Sequence, residues 1–374
     1  MSAETLMKQK PTLAILTVPD EKRLIRGNHH NFIDLIRIGK ELGTDVYVVT
    51  TSDLKLTAKK WHVYKYQFTK KIWSKHWLPA PQVIYNRIPY RKLEMKPDVQ
   101  QMIHACCRSN QVVLFNPAFF NKWTLFEWLN KSKQTRKYIP VTQQLSNAID
   151  LERLMKEHAV VYLKPVKGKA GRGIMRVERK INTKHQVEYR LFAQEHAVKR
   201  MTLYKSLDSL WKDIVEHRGD KEYIMQQGID LMNFKRRIYD LRALIQKTFQ
   251  GKWSVTGIGA RVAGKLSITT HVPRGGSIDD PQKLLTNGFG REKALRILKR
   301  TRKASLLLAK QIEKSSKQEL GEMSMDLGVD TTGRIWFFEA NSKPMKFDEP
   351  HIRQKSLARI IRYGTYMTQK VKRR

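Results

Sequence analysis

The chain has 374 residues, a formal charge of +38 and 41% hydrophobic residues. That length suits two or three domains with a sizeable core. No apolar run nears the roughly 20 residues that span a bilayer, and Thr12–Val18 is too short for a signal-peptide core. Cys106 and Cys107 are adjacent and alone, which excludes a disulfide framework and a Cys-rich zinc site. A cytoplasmic protein is expected. The charge points to an acidic partner or substrate, with general solubility as the plainer use. Its denser patches fall at Lys164–Arg179, Arg291–Lys303 and Arg353–Arg374.

Thr12–Val18 (TLAILTV) reads as a buried strand, and an amphipathic helix follows over Asn28–Leu42, stopped by Gly43. DVYVVT at Asp45–Thr50 returns as a strand, so the chain opens on a βαβ unit. Strands at Gln82–Ile88 and Gln111–Pro117, with a helix around Asp98–Arg108 between them, complete an N-terminal α/β domain over 1–117. A second part, 118–222, opens on KWTLFEWL (Lys122–Leu129) at helical spacing and continues with a short helix at Asn147–His158. The strand Ala159–Pro165 then enters a glycine-rich loop, and GIMRVER leaves it as another strand. Residues 223–349 read as mostly β, with one long amphipathic helix across 282–315. Residues 350–374 form a basic amphipathic helix, with Ile352, Leu357, Ile360, Ile361 and Met367 against its charged face.

The glycine-rich loop is KPVKGKAGRGI, Lys164–Ile174. Gly168, Gly171 and Gly173 let backbone N–H groups approach phosphate oxygens, and Lys164 at the strand end can reach a phosphate. No Gly-Lys-Ser/Thr follows and the flanks are strand and strand, so it is neither a P-loop nor a Rossmann fingerprint. A basic hairpin turn remains the alternative. In YDLRALIQK, Asp240 and Arg242 share one face of a strand. They read either as an internal ion pair or as an arginine for a transferring phosphoryl group. Farther on lie Arg261, His271, Gly275 and Gly276, the paired glycines suggesting backbone amides that meet an anion.

The strongest signal is MSMDLGVDTTGRIWFFEANSKP, Met323–Pro344. It reads as two apolar strands joined by a Thr-Thr-Gly turn. Asp326 lies on the first strand, Glu339 and Asn341 on the second, two apart and therefore on one side. Carboxylates in an apolar setting need a cation or hydrogen-bond partners. Three oxygen ligands suit Mg²⁺, which takes its remaining ligands from nucleotide phosphates and water. His29-His30 and His104 have no ligand partners at metal spacing. Nothing beyond charge suggests nucleic-acid binding, and sequence-specific binding is not expected.

Over roughly Asn116–Lys346 these motifs resemble an ATP-grasp protein, with similarity to the YheC/YheD-like, endospore coat-associated family. The resemblance implies mixed α/β and α+β architecture: an N-terminal pre-ATP-grasp-like α/β domain, a central lobe carrying the glycine-rich loop, and a C-terminal lobe carrying the magnesium site. It implies ATP and two Mg²⁺ ions. The activity implied is a ligase that joins a carboxylate to an amine or thiol through an acyl phosphate. The expected substrate is an acidic, envelope- or spore-coat-related molecule. A non-catalytic ATP-binding structural protein of the coat is the alternative, and either would allow coat association or an acidic-polymer partner. Lys122, in "NKW", and Lys164 resemble the two nucleotide lysines, and Gly168, Gly171, Arg172 and Gly173 the loop that closes over the phosphates. Gln226, Gln227, Gly228 and Ile229 resemble the adenine hinge, with Asp230 toward ribose. Arg242, assisted by Arg261, resembles the arginine at the transferred phosphate, and Asp326, Glu339 and Asn341 the magnesium ligands, Glu339 bridging the ions. The chain departs from the pattern at His271, where Asn is frequent, and at Met323-Ser324-Met325, which replaces Leu-Gly-aliphatic. The acceptor side therefore stays open.

Overall fold

The structure is a computed structural model that describes residues 10–167, 172–195, 198–264, 270 and 276–371. The strand Thr12–Thr17, buried from Leu13 onward, pairs in parallel with Asp45–Thr50 on one side and Val83–Asn86 on the other. Val113–Phe115 extends this sheet in parallel. The helix His29–Glu41 crosses between the first two strands, and the Asn28 side chain caps it by accepting from the Asn31 amide at 3.1 Å. Phe32, Leu35 and Ile36 are the face it buries on the sheet. An antiparallel hairpin, Lys60–Gln67 and Ile72–Pro79, adds two further strands that the sequence reading had not placed.

The second sheet is antiparallel, in the order Val198–Tyr204, Val187–Glu195, Met175–Ile181, Val160–Pro165, Tyr223–Gln227, Thr142–Gln144. Helices Ala148–Glu157 and Leu207–Arg218 cover one face of it through Leu151, Leu154, Met155, Leu210 and Ile214. The third sheet runs Ser277–Asp279, Trp253–Val262, Arg237–Lys247, Glu322–Val329, Ile335–Asn341, with Asn233–Phe234 paired to Arg237–Lys247. Its core face lies against the helices Lys122–Asn130 and Arg291–Ser316, where Leu125, Phe126, Leu129, Ile297, Leu308 and Ile312 meet Leu241, Met325 and Phe337.

Three expectations change. The strand Tyr223–Gln227 does not begin the last lobe: it sits inside the second sheet between Val160–Pro165 and Thr142–Gln144, so that sheet ends after residue 227 rather than 222. The helix Lys122–Asn130, expected in the central part, buries its apolar stripe in the third-sheet core. The long helix over 282–315 is two helices, Pro281–Phe289 and Arg291–Ser316, separated by Gly290 at φ +76°. A left-handed residue ends the first helix, and glycine takes that conformation without a Cβ clash.

The last helix, Pro350–Val371, is no appendage. Leu357, Ile360, Ile361, Tyr363 and Met367 enter the core of the first sheet with Leu13, Ile15 and Phe115, while Ile352 packs on Leu244 and Phe347 of the third-sheet region. Its apolar face thus wedges between the first and third sheets, and the Arg353 guanidinium donates to Asp34 at 2.8 Å. Among the described residues no helix is long and apolar enough to cross a membrane.

Candidate active site

The face of the third sheet turned away from the helix Arg291–Ser316 carries the charged residues. Register fixes their order. Arg242 pairs with Asp326, and Asp326 with Glu339, while Ser324 pairs with Asn341. Directly paired residues in an antiparallel ladder project to the same side. Asp326, Glu339 and Asn341 therefore share one patch two residues deep. A bulge at Asp326/Leu327 leaves Phe338 without a partner, since Leu327 pairs with Phe337 and Asp326 with Glu339. Phe337 and Ala340 go to the core, whereas Phe338 and Glu339 are half-buried on the cleft side.

Asp240 is bonded to Arg261, its register partner, rather than to Arg242. Arg261 donates through Nε and Nη2 to the two oxygens of Asp240 at 3.0 and 2.9 Å, and Nη2 also reaches Asp326 Oδ2 at 2.7 Å. Thr270 donates a further hydrogen bond to Asp240. Burial alone would lower the Arg261 pKa, but Asp326 and Asp240 hold its guanidinium above its ordinary value. Burial raises the Asp240 pKa above its ordinary value even with Arg261 beside it. Arg242 is lowered by burial and lies over the Phe347 ring at 4.5 Å.

Two lysines close the set. Lys122 stands at the first turn of the helix Lys122–Asn130, whose start is capped by Asn121 accepting from the Thr124 amide at 3.2 Å. Its Nζ donates to Glu339 Oε1 at 2.7 Å. Lys164, at the end of Val160–Pro165, donates to Gln226 Oε1 at 2.5 Å and lies 5.4 Å above the Phe338 ring. Burial pushes its pKa down to about 8, Lys122 adds to the shift, and Glu339 and Asp326 oppose it. Lys164 and Gln226 belong to the second sheet, and Phe338, Glu339 and Asp326 to the third, so the residues converge across the cleft between the two.

The residues expected to form the adenine hinge lie where these sheets join. Gln226 is buried between Lys164 and Thr142, donating to the latter at 2.9 Å. The amides of Gln227 and Gly228 donate to Val141 and Val160 carbonyls at 2.9 and 2.7 Å. A Cβ on Gly228 would fall 2.8 Å from the Val160 carbonyl oxygen, which explains glycine there. Ile229 is half-buried and Asp230 exposed, and the Asp230 carbonyl accepts from the Thr331 amide in the acidic hairpin at 3.1 Å. Gly173 takes φ +72° and its carbonyl accepts from Tyr223 at 2.9 Å, while Arg172 is exposed beside it. Gly168, Gly171, His271 and Gly275 lie outside the described residues.

Sequence reasoning missed Phe338 and Arg91. Phe338 could have been found from the doubled aromatic before Glu339, which breaks strand alternation. Arg91, in the N-terminal domain, is close enough for Glu339 to act on it, and donates to the Phe119 and Phe120 carbonyls beside Lys122. No sequence signal marked it. The loop after Asn341 is anchored to the same domain: Lys343 and Glu94 form a buried ion pair, with Asn86 and the Phe119 amide completing the Glu94 partners.

The donor set fits a hard cation, since Asp326, Glu339 and Asn341 offer only oxygen. Among the described residues no three His, Cys, Asp or Glu side chains converge as a protein-only metal cage. Two carboxylates and an amide instead suit an ion that shares its shell with a phosphate ligand.

Two sheets facing across a cleft, one bearing a glycine-rich loop and lysine, the other an acidic hairpin and arginines, define the ATP-grasp class of protein. A family profile described as YheC/D like ATP-grasp matches residues 111–367. The chain belongs to that YheC/D-like ATP-grasp family. It is 29% identical over 306 residues to the endospore coat-associated protein YheD of Bacillus subtilis (strain 168), an alignment covering 80% of this chain and 65% of that protein. The chain thus spans less than two thirds of that relative's length. It is 20% identical over 323 residues to the endospore coat-associated protein YheC of the same strain, covering 83% and 84%. Among solved structures, the VanG D-Ala:D-Ser ligase of Enterococcus faecalis superposes with a TM-score of 0.53 at 12% identity, covering 96% of this chain and 100% of that one. At that identity the likeness is one of fold.

Proposed function

We propose that this protein is a Mg-ATP-dependent ligase that activates a carboxylate as its acyl phosphate and passes the acyl group to an amine or thiol. The observation that carries the reading is the convergence of Lys122, Lys164, Arg242 and Arg261 with Asp326, Glu339 and Asn341 on one cleft. Phosphoryl transfer asks for positioning and charge compensation more than for covalent chemistry. Asp326, Glu339 and Asn341 would hold Mg²⁺, two ions if Glu339 bridges. When bound, the metal would draw charge from the transferring phosphoryl group. Lys164, stacked on Phe338, and Gly168–Gly173 hold the phosphates. Lys122 moves from Glu339 to the nucleotide, and the backbone of Gln226–Asp230 meets the base and ribose. Arg242 stabilises the transferred group, and Arg261 fixes Asp326 in place.

The test is ADP and phosphate release from purified protein with Mg-ATP and pools of carboxylates and amines. ATP binding without turnover in any pool would sink the ligase reading and favour a non-catalytic coat protein.

A surface role in addition is favoured by one observation. Burial lowers the Lys355 pKa, and Arg359 and Arg302 lower it further. Arg302 of the helix Arg291–Ser316 and Arg359 of the last helix are thus near enough to act on one lysine, and Arg291–Ser316 also exposes Arg296, Lys299, Arg300 and Lys303. This concentration of cations suits an acidic polymer, and coat association, carried by the relatives' names, would use it. Retention on a polyglutamate matrix that persists unchanged at high salt would refute this electrostatic docking.

A further inference from the structure

One strand beyond Arg242, the sheet face gives way twice. A Cβ on Gly257 would run into Ile352, and a Cβ on Gly259 would take the place held by Glu349 Oε1. Gly259 is the register partner of Arg242, which pairs with Asp326, which faces Glu339. The order across the sheet is thus Glu339, Asp326, Arg242, Glu349. At a strand spacing of ~4.8 Å, the Glu349 carboxylate lies about 5 Å beyond the Arg242 strand and roughly 14 Å from that of Glu339. Its charge acts on Arg242, which is flanked by Asp326 on the other side. Yet among the described residues no donor hydrogen-bonds the Glu349 side chain and no cation lies within 4.0 Å of it.

Glu188 and Asp330 are also half-buried with no cation in ion-pair range among the described residues, but each accepts side-chain hydrogen bonds, and Glu349 accepts none. Its carbonyl accepts from the Arg353 amide at 2.9 Å, so it opens the last helix. A favourable helix dipole would account for an acid at that position. It would not account for a strand that omits a side chain to seat the carboxylate beside Arg242. A cation entering from the side opposite the metal set would meet Glu349 first, with Arg242 between it and Asp326. A thiolate would be repelled there.

We propose that Glu349 binds the acceptor, and that the acceptor is a primary amine that enters as its ammonium ion. The inference rests on the ligase reading above and selects amine over thiol within it. The experiment titrates 1,4-diaminobutane, butane-1,4-diol and succinate, by calorimetry, into protein with and without Mg-AMPPNP. The diamine is expected to bind wild type, and Glu349→Gln to weaken it about tenfold or more, as loss of a charge-assisted contact implies. Glu349→Asp should retain part of the affinity, and Asp348→Asn, at the exposed neighbour, all of it. Nucleotide affinity should be unchanged in all three variants. Equal diamine affinity in wild type and Glu349→Gln, or preference for the diol or succinate, overturns the inference. Failure of wild type to bind Mg-AMPPNP would instead overturn the nucleotide reading, and the diamine titration still reports on Glu349.

Discussion

Arg261→Met is the most telling substitution for how the site is held. Arg261, Asp240 and Asp326 are exposed by only 11, 8 and 10% of their side chains, and one guanidinium bonds both carboxylates. Three contacts at 2.7–3.0 Å would sum to about 5–9 kcal/mol if each charge-assisted bond counted in full. The sum overstates the loss, because a buried carboxylate left without its cation takes up a proton instead of staying charged. Burial already raises Asp240, and Asp326 raises it further. Removing one partner of a buried pair costs about 3–5 kcal/mol, and that range is expected here. Adding Asp240→Asn removes the stranded charge and should restore about 2 kcal/mol of it. Urea unfolding followed by tryptophan fluorescence measures both variants. A loss under about 1 kcal/mol for Arg261→Met, or a double variant weaker than the single one, would refute the network as described.

Glu339→Gln should weaken Mg-ATP binding by at least about tenfold while leaving metal-free nucleotide binding nearly unchanged, measured by calorimetry with and without EDTA. An equal loss in both conditions would point to a structural role. Gly228→Ala should cost about 1–3 kcal/mol, because the new Cβ falls 2.8 Å from the Val160 carbonyl oxygen. Thermal unfolding reads it, and a neutral result would mean that the hinge is looser than its hydrogen bonds suggest. Glu319 supplies the pH dependence. Burial alone would raise its pKa, but Lys247, Tyr363 and Lys370 outweigh burial and hold it below its ordinary 4.5. Its stabilisation is therefore present above pH 4.5 and lost as acid carries the pH through the depressed value. Glu319→Gln should lower stability at neutral pH and flatten the acid limb, and an unchanged limb would assign that slope to other carboxylates.

Much of the fold was legible because its signals are local. The Asn28 cap, the Phe32/Leu35/Ile36 stripe and the alternation in Glu322–Val329 each follow from residues within one or two turns. The hairpin Lys60–Gln67/Ile72–Pro79 was missed because its second strand is largely exposed, so no clean apolar alternation marks it. The boundary at 223 was misplaced because the sequence of Tyr223–Gln227, three buried apolar residues and then two glutamines, does not tell which of the two sheets it enters; only its pairing partners do. The tail showed its amphipathic face in sequence, but not that the first and third sheets would cover that face.

The sequence by itself determined the residue types at the site and their local order: lysine at a strand end, glycines after it, and acid and amide two apart on a hairpin. These are properties of neighbours along the chain, set by period-two alternation and turn chemistry. Tertiary structure decided which charges meet. It paired Asp240 with Arg261 instead of Arg242, through strand register, and brought Lys122 to Glu339 across a separation of 217 residues. It also set Glu349 on a glycine that gives up its side chain to make room. Register and domain packing are sums over many weak contacts distributed along the chain, so no local pattern carries them.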